Sequence, residues 1–191
     1  MAERIDVEDA EYKGVDYTLV QLPNGNYENC VFKDCNFSNS SLTEVVFVDC
    51  EFEDCEMSLL KVDNTAFRNV TFTRCKMLGT HFENVNSLML NLAFEDCQLN
   101  LCSFYQLDLK ETIFKNCNLE EVDFTETNLS GAVLEGCNLS GAIFEHTNLD
   151  KADLSSALNY TIDPEVNRIR KAKFSMTGIL GLLGKYDIEV E

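Results

Sequence analysis

Tryptophan is absent from this 191-residue chain, and histidine and proline occur only twice each. With His81 and His146 alone, a histidine-rich metal centre has no ligand set, and a nucleophile–histidine relay has only two candidates. No G-x-S-x-G, G-x-x-x-x-G-K-[ST] or G-x-G-x-x-G string occurs. Cations are also scarce. Fifteen Lys and Arg stand against 33 Asp and Glu, a net charge of −18, whereas a nucleic-acid binder shows the opposite sign. No run approaches the ~18 apolar residues that span a bilayer. The start, "MAERIDVEDAEYKG", lacks the basic-then-apolar order of a secretion signal. The expectation is therefore a cytoplasmic protein that binds neither membrane nor nucleic acid directly. Nine cysteines in that compartment read as thiols rather than disulfides.

What the chain does have is a period of five. Taking the large apolar residue as a centre, one phase runs Tyr12, Tyr17, Leu22, Tyr27, Phe32 and onward without a miss to Phe82. Position 87 is a serine. The pattern is expected to resume two residues late at Met89, then run through Phe94, Leu99 and Phe104 to Leu154. Neither a helix (period 3.6) nor a strand (period 2) explains a period of five. The residue two before the centre is small or β-branched in most units, or it is cysteine: Cys30, Cys35, Cys50, Cys55, Cys75, Cys97, Cys102, Cys117 and Cys137 all fall there. The closest thiols are spaced C-x₄-C, not the C-x₂-C of a metal knuckle, so they read as small apolar fillers. No metal or cofactor is expected.

The units "CNF", "CNL", "TNL" and "ADL", each ending on a centre, resemble the pentapeptide-repeat family over roughly residues 10–175. The resemblance implies an all-β fold, a right-handed quadrilateral parallel β-helix. Four units make one square coil of 20 residues, and the centre and the residue two before it point inward. The sequence supports a 20-residue repeat independently. Cys35, Cys55 and Cys75 are 20 apart, as are Cys97, Cys117 and Cys137, so a two-residue bulge between the two sets predicts one column of six thiols. Phe82, Phe104, Phe124 and Phe144 form a second column, and Leu99, Leu119 and Leu139 a third.

The expected organisation is a β-helix over 1–174 and a C-terminal segment over 175–191. The bulge is placed at 83–88, with Glu83, Asn84 and Asn86 as candidate bulge residues. The open end of a solenoid needs covering. Ser175 is expected to cap a short helix and Gly184 to end it. Ile179, Leu180, Leu182, Leu183, Ile188 and Val190 then cover the last coil or form a homodimer contact, and Tyr186–Val190 reads as a short strand. End-to-end dimerisation is what the topoisomerase-protecting members of the family imply. "DPEVNRI" (Asp163–Ile169) resembles a segment of the microcin-immunity branch. Related quinolone-resistance proteins carry longer loops than this small bulge.

Charge completes the reading. Between Tyr27 and Leu154 there are 22 acidic and 8 basic residues, net −14, on about 35 Å of shaft; a duplex of that length carries about 20 charges. The resemblance therefore implies a DNA-mimicking partner of DNA gyrase or topoisomerase IV that protects it from quinolones or peptide toxins, with no catalysis of its own. The candidate contact residues are Asp49, Glu51, Glu53, Asp54, Glu56, Glu95, Asp96, Asp108, Glu111, Glu120, Glu121, Asp123, Glu126, Glu135 and Glu145. The competing reading is a generic protein-interaction scaffold with no topoisomerase role.

Overall fold

A computed structural model describes residues 4–186 and residue 188. The chain winds as a parallel β-solenoid of about eight coils. On one side Tyr12 pairs with Phe32, Phe32 with Phe52 and Phe52 with Phe72. Phe94, Phe114 and Leu134 continue the same ladder. We number the four sides by their columns of centres: face 1 contains Tyr27, face 2 Phe32, face 3 Phe37 and face 4 Leu42.

Each five-residue unit is four extended residues and a corner. Across the extended part, alternation sends the centre and the residue two before it inward and the flanking residues outward. At the corner, two residues after the centre, the backbone turns left-handed. These φ values lie between 51° and 71°, as at Asp9, Asn29, Asp49 and Asn69. This region costs an L-residue roughly 1–2 kcal/mol, and Asn, Asp and Gly tolerate it best. Eleven of the twenty-three non-glycine residues there are Asp or Asn. The outward-and-corner arrangement explains why polar residues follow most centres, with Val48, Leu59, Leu78, Leu101 and Tyr105 among the exceptions.

The core consists of stacked columns. On face 2 successive rings from Tyr12 to Phe114 lie 4.8–5.3 Å apart and nearly parallel. On face 4, Phe82, Phe104, Phe124 and Phe144 stack at 4.8, 5.5 and 5.4 Å. Rings on adjacent faces meet edge-on, as Phe47 does Phe52 at 75°, and so do rings on opposite faces, as Phe104 does Phe114 at 77°, so stacked and edge-on geometries are combined.

The thiols form the expected column. Every cysteine is buried and free. Cys55, Cys75, Cys97 and Cys117 each donate Sγ–H to the centre carbonyl of the neighbouring coil, at Phe32, Phe52, Phe72 and Phe94 (3.3–3.6 Å). Thr127 and Thr147 make the same bond from face 1, to Phe104 and Phe124 at 2.8 Å. Cysteine and threonine are thus alternative donors for one recurring carbonyl. Burial pushes the Cys50 thiol up to about 11 and the Cys102 thiol up to about 12, so neither supplies a thiolate near neutrality.

The break lies later than the sequence suggests. Asn86 still bridges Ala66 at a spacing of 20, but Val70 pairs with Leu92 and Phe72 with Phe94 at 22. The two extra residues therefore fall within 87–91, and Phe82–Asn84 form a single 3-10 turn. Met89, expected as a core centre, is instead 70% exposed in a left-handed corner. Ser87 is exposed rather than inward, and the Phe67 carbonyl is taken by the Asn91 N–H at 3.1 Å, so the chain loops out until Leu92 and Phe94 return inward. Leu90 packs partly against the core.

The C-terminal segment also differs in kind. It forms two 3-10 turns, Gly178–Leu182 and Gly184–Tyr186, rather than one helix. Ser175 Oγ accepts the Gly178 N–H at 2.8 Å, but Gly184 opens the second turn instead of ending the first. Ile162 N–H bonds to the Gly181 carbonyl at 2.9 Å, and Leu182 packs against the core. Ile179, Leu180 and Ile188 remain exposed, while Leu183 is half-buried. Val190 lies outside the described residues, as does most of the strand expected at Tyr186–Val190.

Candidate interaction surface

Outward positions repeat every 20 residues, so each face presents straight rows of side chains one strand spacing (~4.8 Å) apart. The sign of charge in each row follows from which residues stack. On face 2 and its corners carboxylates alternate with cations. Lys33 sits 3.4 Å from Glu53, Lys115 pairs with Glu95, and Lys173 lies 2.8 Å from Asp153. Arg74 grips both oxygens of Asp54 at 2.7 Å, which holds that carboxyl below its usual range. On face 3 Glu56 lies 3.3 Å from Lys76.

Face 4 is different. Its outward row Ser103–Asp123–Ile143 bridges coil to coil, and Glu121 and Glu126 stand at its two corners. Glu145 follows the centre Phe144, and Glu120 lies just across the corner on face 3. Among the described residues none of these five carboxylates forms an ion pair. Three of them are held by neutral groups instead. Glu126 accepts from Gln106 at 2.8 Å, Glu120 from Asn100 at 3.1 Å, and Asp123 from the Thr125 N–H at 2.8 Å. Such bonds fix the carboxylates without cancelling their charge.

The structure therefore brings five of the fifteen candidate carboxylates together and scatters the rest. Glu51, Glu53, Glu95 and Glu135 belong to face 2. Asp54 and Asp96 occupy the corner after it, with Asn116 bonded to Asp96 at 3.1 Å. Asp49 and Glu111 stand at the corner before it; Asn69 donates to Asp49, and Lys110 lies 3.4 Å from Glu111. Asp108 is on face 1, bonded to Asn128 at 2.7 Å. Of the candidate bulge residues, Glu83 meets His81 at 2.8 Å. Asn86 bridges Asn64 and the Leu88 N–H, each at 3.0 Å. Asn84 is exposed.

Three apolar side chains stand exposed in the same area: Leu101 at the corner, Tyr105, and Ile143 in the Asp123 row. They were not singled out from the sequence, where apolar residues were traced only at inward positions and outward ones only for charge. An apolar residue in an outward slot was the available signal. An exposed aromatic of this kind is a residue type enriched at protein-binding surfaces. No helix among the described residues is long and apolar enough to cross a membrane, and no group of three or more His, Cys, Asp or Glu among them is arranged to hold a metal.

Two family models match the chain. One, described as a pentapeptide repeat region, covers residues 25–88; the other, pentapeptide repeats in eight copies, covers 117–156. Together they span more than half of the sequence. No curated protein sequence matches. Among solved structures, two trypsin-treated variants of QnrB1, a plasmid-mediated fluoroquinolone resistance protein, superpose with TM-scores of 0.64. They are 16% and 15% identical, cover 98% and 99% of this chain, and are themselves covered completely. HetL, a pentapeptide repeat protein involved in heterocyst differentiation regulation from the cyanobacterium Nostoc, gives a TM-score of 0.48 at 18% identity, covering 90% of this chain and 84% of its own.

Proposed function

The chain belongs to the pentapeptide-repeat family, and from that premise we propose that it is a non-catalytic binding protein whose acidic shaft occupies the DNA-binding groove of a type II topoisomerase, gyrase or topoisomerase IV, and protects it from quinolones or peptide toxins. The observation that carries this reading is face 4. Of its carboxylates Glu120, Glu121, Asp123, Glu126 and Glu145, three (Glu120, Asp123 and Glu126) are held by neutral partners, and none of the five forms an ion pair among the described residues. A cationic groove shaped for duplex DNA complements such a surface, and Tyr105 and Ile143 add apolar contact. The likeness in fold to a fluoroquinolone resistance protein supports the choice of partner. The two-residue insertion at 87–91 is a small loop.

The same reading includes a homodimer formed through the C-terminal segment, where Ile179 (44% exposed) and Leu180 (48% exposed) face outward. Leu180→Asp is the informative variant, because Leu182 serves the cap itself. A wild-type monomer in light scattering rejects the dimer without touching the topoisomerase reading.

The deciding experiment is a gyrase supercoiling assay with purified protein at micromolar concentration, with and without a quinolone or a microcin-type poison. Inhibition or protection is expected, weakened in Asp123→Lys/Glu126→Lys and unchanged in Glu53→Lys. If the protein neither inhibits nor protects, it is an interaction scaffold for another partner.

A further inference from the structure

The cations of this acidic chain are not evenly spread. Lys110, Lys151, Arg168, Arg170 and Lys171 gather on the late coils of face 1 and its corner toward face 2, and all five are exposed. The repeat puts them there: Asn128, Asn148 and Arg168 stack as one bridged row, and Lys151 and Lys171 are successive left-handed corners. Three carboxylates lie among them, and all are already engaged: Asp108, in the same row, accepts from Asn128 at 2.7 Å and from the Lys110 N–H at 3.2 Å. Asp150 binds Arg168 at 2.5 Å and the Arg170 N–H at 3.0 Å, and Glu111 lies 3.4 Å from Lys110. Lys151, Arg170 and Lys171 form no ion pair among the described residues.

Between these side chains a notch of about 280 Å³ opens, floored by Ser130 and Gly131 and walled by Lys110, Lys151 and Arg168 together with Asn148 and the two ion-paired carboxylates Glu111 and Asp150. The floor is low because both floor residues are small. Gly131 takes the corner at φ 71°, and the Ser130 hydroxyl makes no hydrogen bond among the described residues. The notch holds several times the ~30 Å³ share of a water molecule, which is room for two linked phosphate groups.

We propose that this notch is a binding site for a compact polyphosphate anion: pyrophosphate, or the phosphate tail of a nucleotide. Arg168, held in place by Asp150, offers the planar fork that matches phosphate oxygens. Lys151 and Lys171 supply mobile point charges, and Ser130 a neutral donor. Compactness follows from the rest of the surface. A duplex lying here must also run along a shaft of net negative charge, whereas a ligand the size of the notch stays within the ~8 Å screening length of the five cations. The site is independent of the topoisomerase reading.

The test is a titration of isotope-labelled full-length protein followed by amide NMR, with inorganic phosphate, pyrophosphate, ATP and a short DNA duplex as separate probes. Saturable shifts at Ser130, Gly131, Lys151 and Arg170 with pyrophosphate, stronger than with phosphate, are expected. Tighter binding of ATP than of pyrophosphate identifies a nucleotide as the ligand; equal or weaker binding identifies the free anion. Lys151→Glu/Lys171→Glu should bind pyrophosphate at least about tenfold more weakly, a loss of about 1.4 kcal/mol, with an unchanged ligand-free melting temperature. Lys61→Glu, on face 4, should bind normally. The proposal is overturned if pyrophosphate gives no saturable shift at millimolar concentration, if the double variant binds as the wild type does, or if the duplex occupies the same amides more tightly than pyrophosphate.

Discussion

Asn116 tests whether the corner sets the repeat. It holds φ 53°, is exposed, and donates its amide to Asp96 at 3.1 Å. In Asn116→Val a β-branched side chain enters the left-handed region, which costs about 1–2 kcal/mol, and an exposed hydrogen bond worth about 0.5 kcal/mol is lost. The sum is about 2 kcal/mol. Asn116→Gly loses the same bond and gains unfolded-state entropy worth about 0.4–1 kcal/mol, but it removes the backbone strain. Its net change should stay within about 1 kcal/mol. For a chain of this size, 2 kcal/mol lowers the melting temperature by about 4–8 °C. Urea unfolding followed by circular dichroism, with calorimetry alongside, reads both variants. The neighbouring coil gives a second reading, since a Cβ on Gly136 would lie 2.6 Å from Asn116 Oδ1 at φ 64°, so Gly136→Ala should also destabilise. If Asn116→Val is as stable as Asn116→Gly, the corner is not what restricts residue choice there, and the account of the period fails.

Phe104→Ala should cost about 3–5 kcal/mol by leaving a cavity between Phe82 and Phe124, whereas Phe104→Leu should cost less than about 1.5 kcal/mol, because other columns are already built of leucine; denaturant midpoints check both. A thiol reagent should label none of the nine cysteines in native protein and all nine in guanidinium, since each is buried. Stability should fall in acid. Lys173 and Ser155 hold Asp153 down at about 2 from 3.8, Lys185 lowers Asp163 and Glu165, and Arg74 lowers Asp54. A depressed carboxyl contributes its full stabilisation above its unfolded value near 4 and loses it as pH drops toward the folded value. Urea midpoints should therefore be flat above about pH 5 and decline toward pH 2, and Lys173→Ala should reduce the size of that decline.

The thiols illustrate how position in the fold decides chemistry. Nine cysteines in 191 residues invite a metal or redox reading. Every one sits in an inward slot where threonine does equally well, bonding a carbonyl one coil away. What matters there is a small side chain carrying one donor.

The period of five, the inward slots, the stacking at 20 and the aromatic and thiol columns were all legible in the sequence, because each depends on residues related by fixed spacing along one chain. Three things were not. Where the coil absorbs two extra residues depended on which backbone N–H takes the Phe67 carbonyl, a question of pairing between coils. Whether Ile179 and Leu180 lie in or out depended on how tightly a 3-10 turn seats on the last coil, which a hydrophobic pattern does not specify. Which carboxylates are paired with a cation depended on which side chains meet across coils. Asp54 and Asp123 look alike in the sequence, but Arg74 stands over the first and no cation pairs with the second. Lateral neighbours follow from spacing alone; net charge on a face follows from side-chain geometry across coils, and that exists only once the chain is wound.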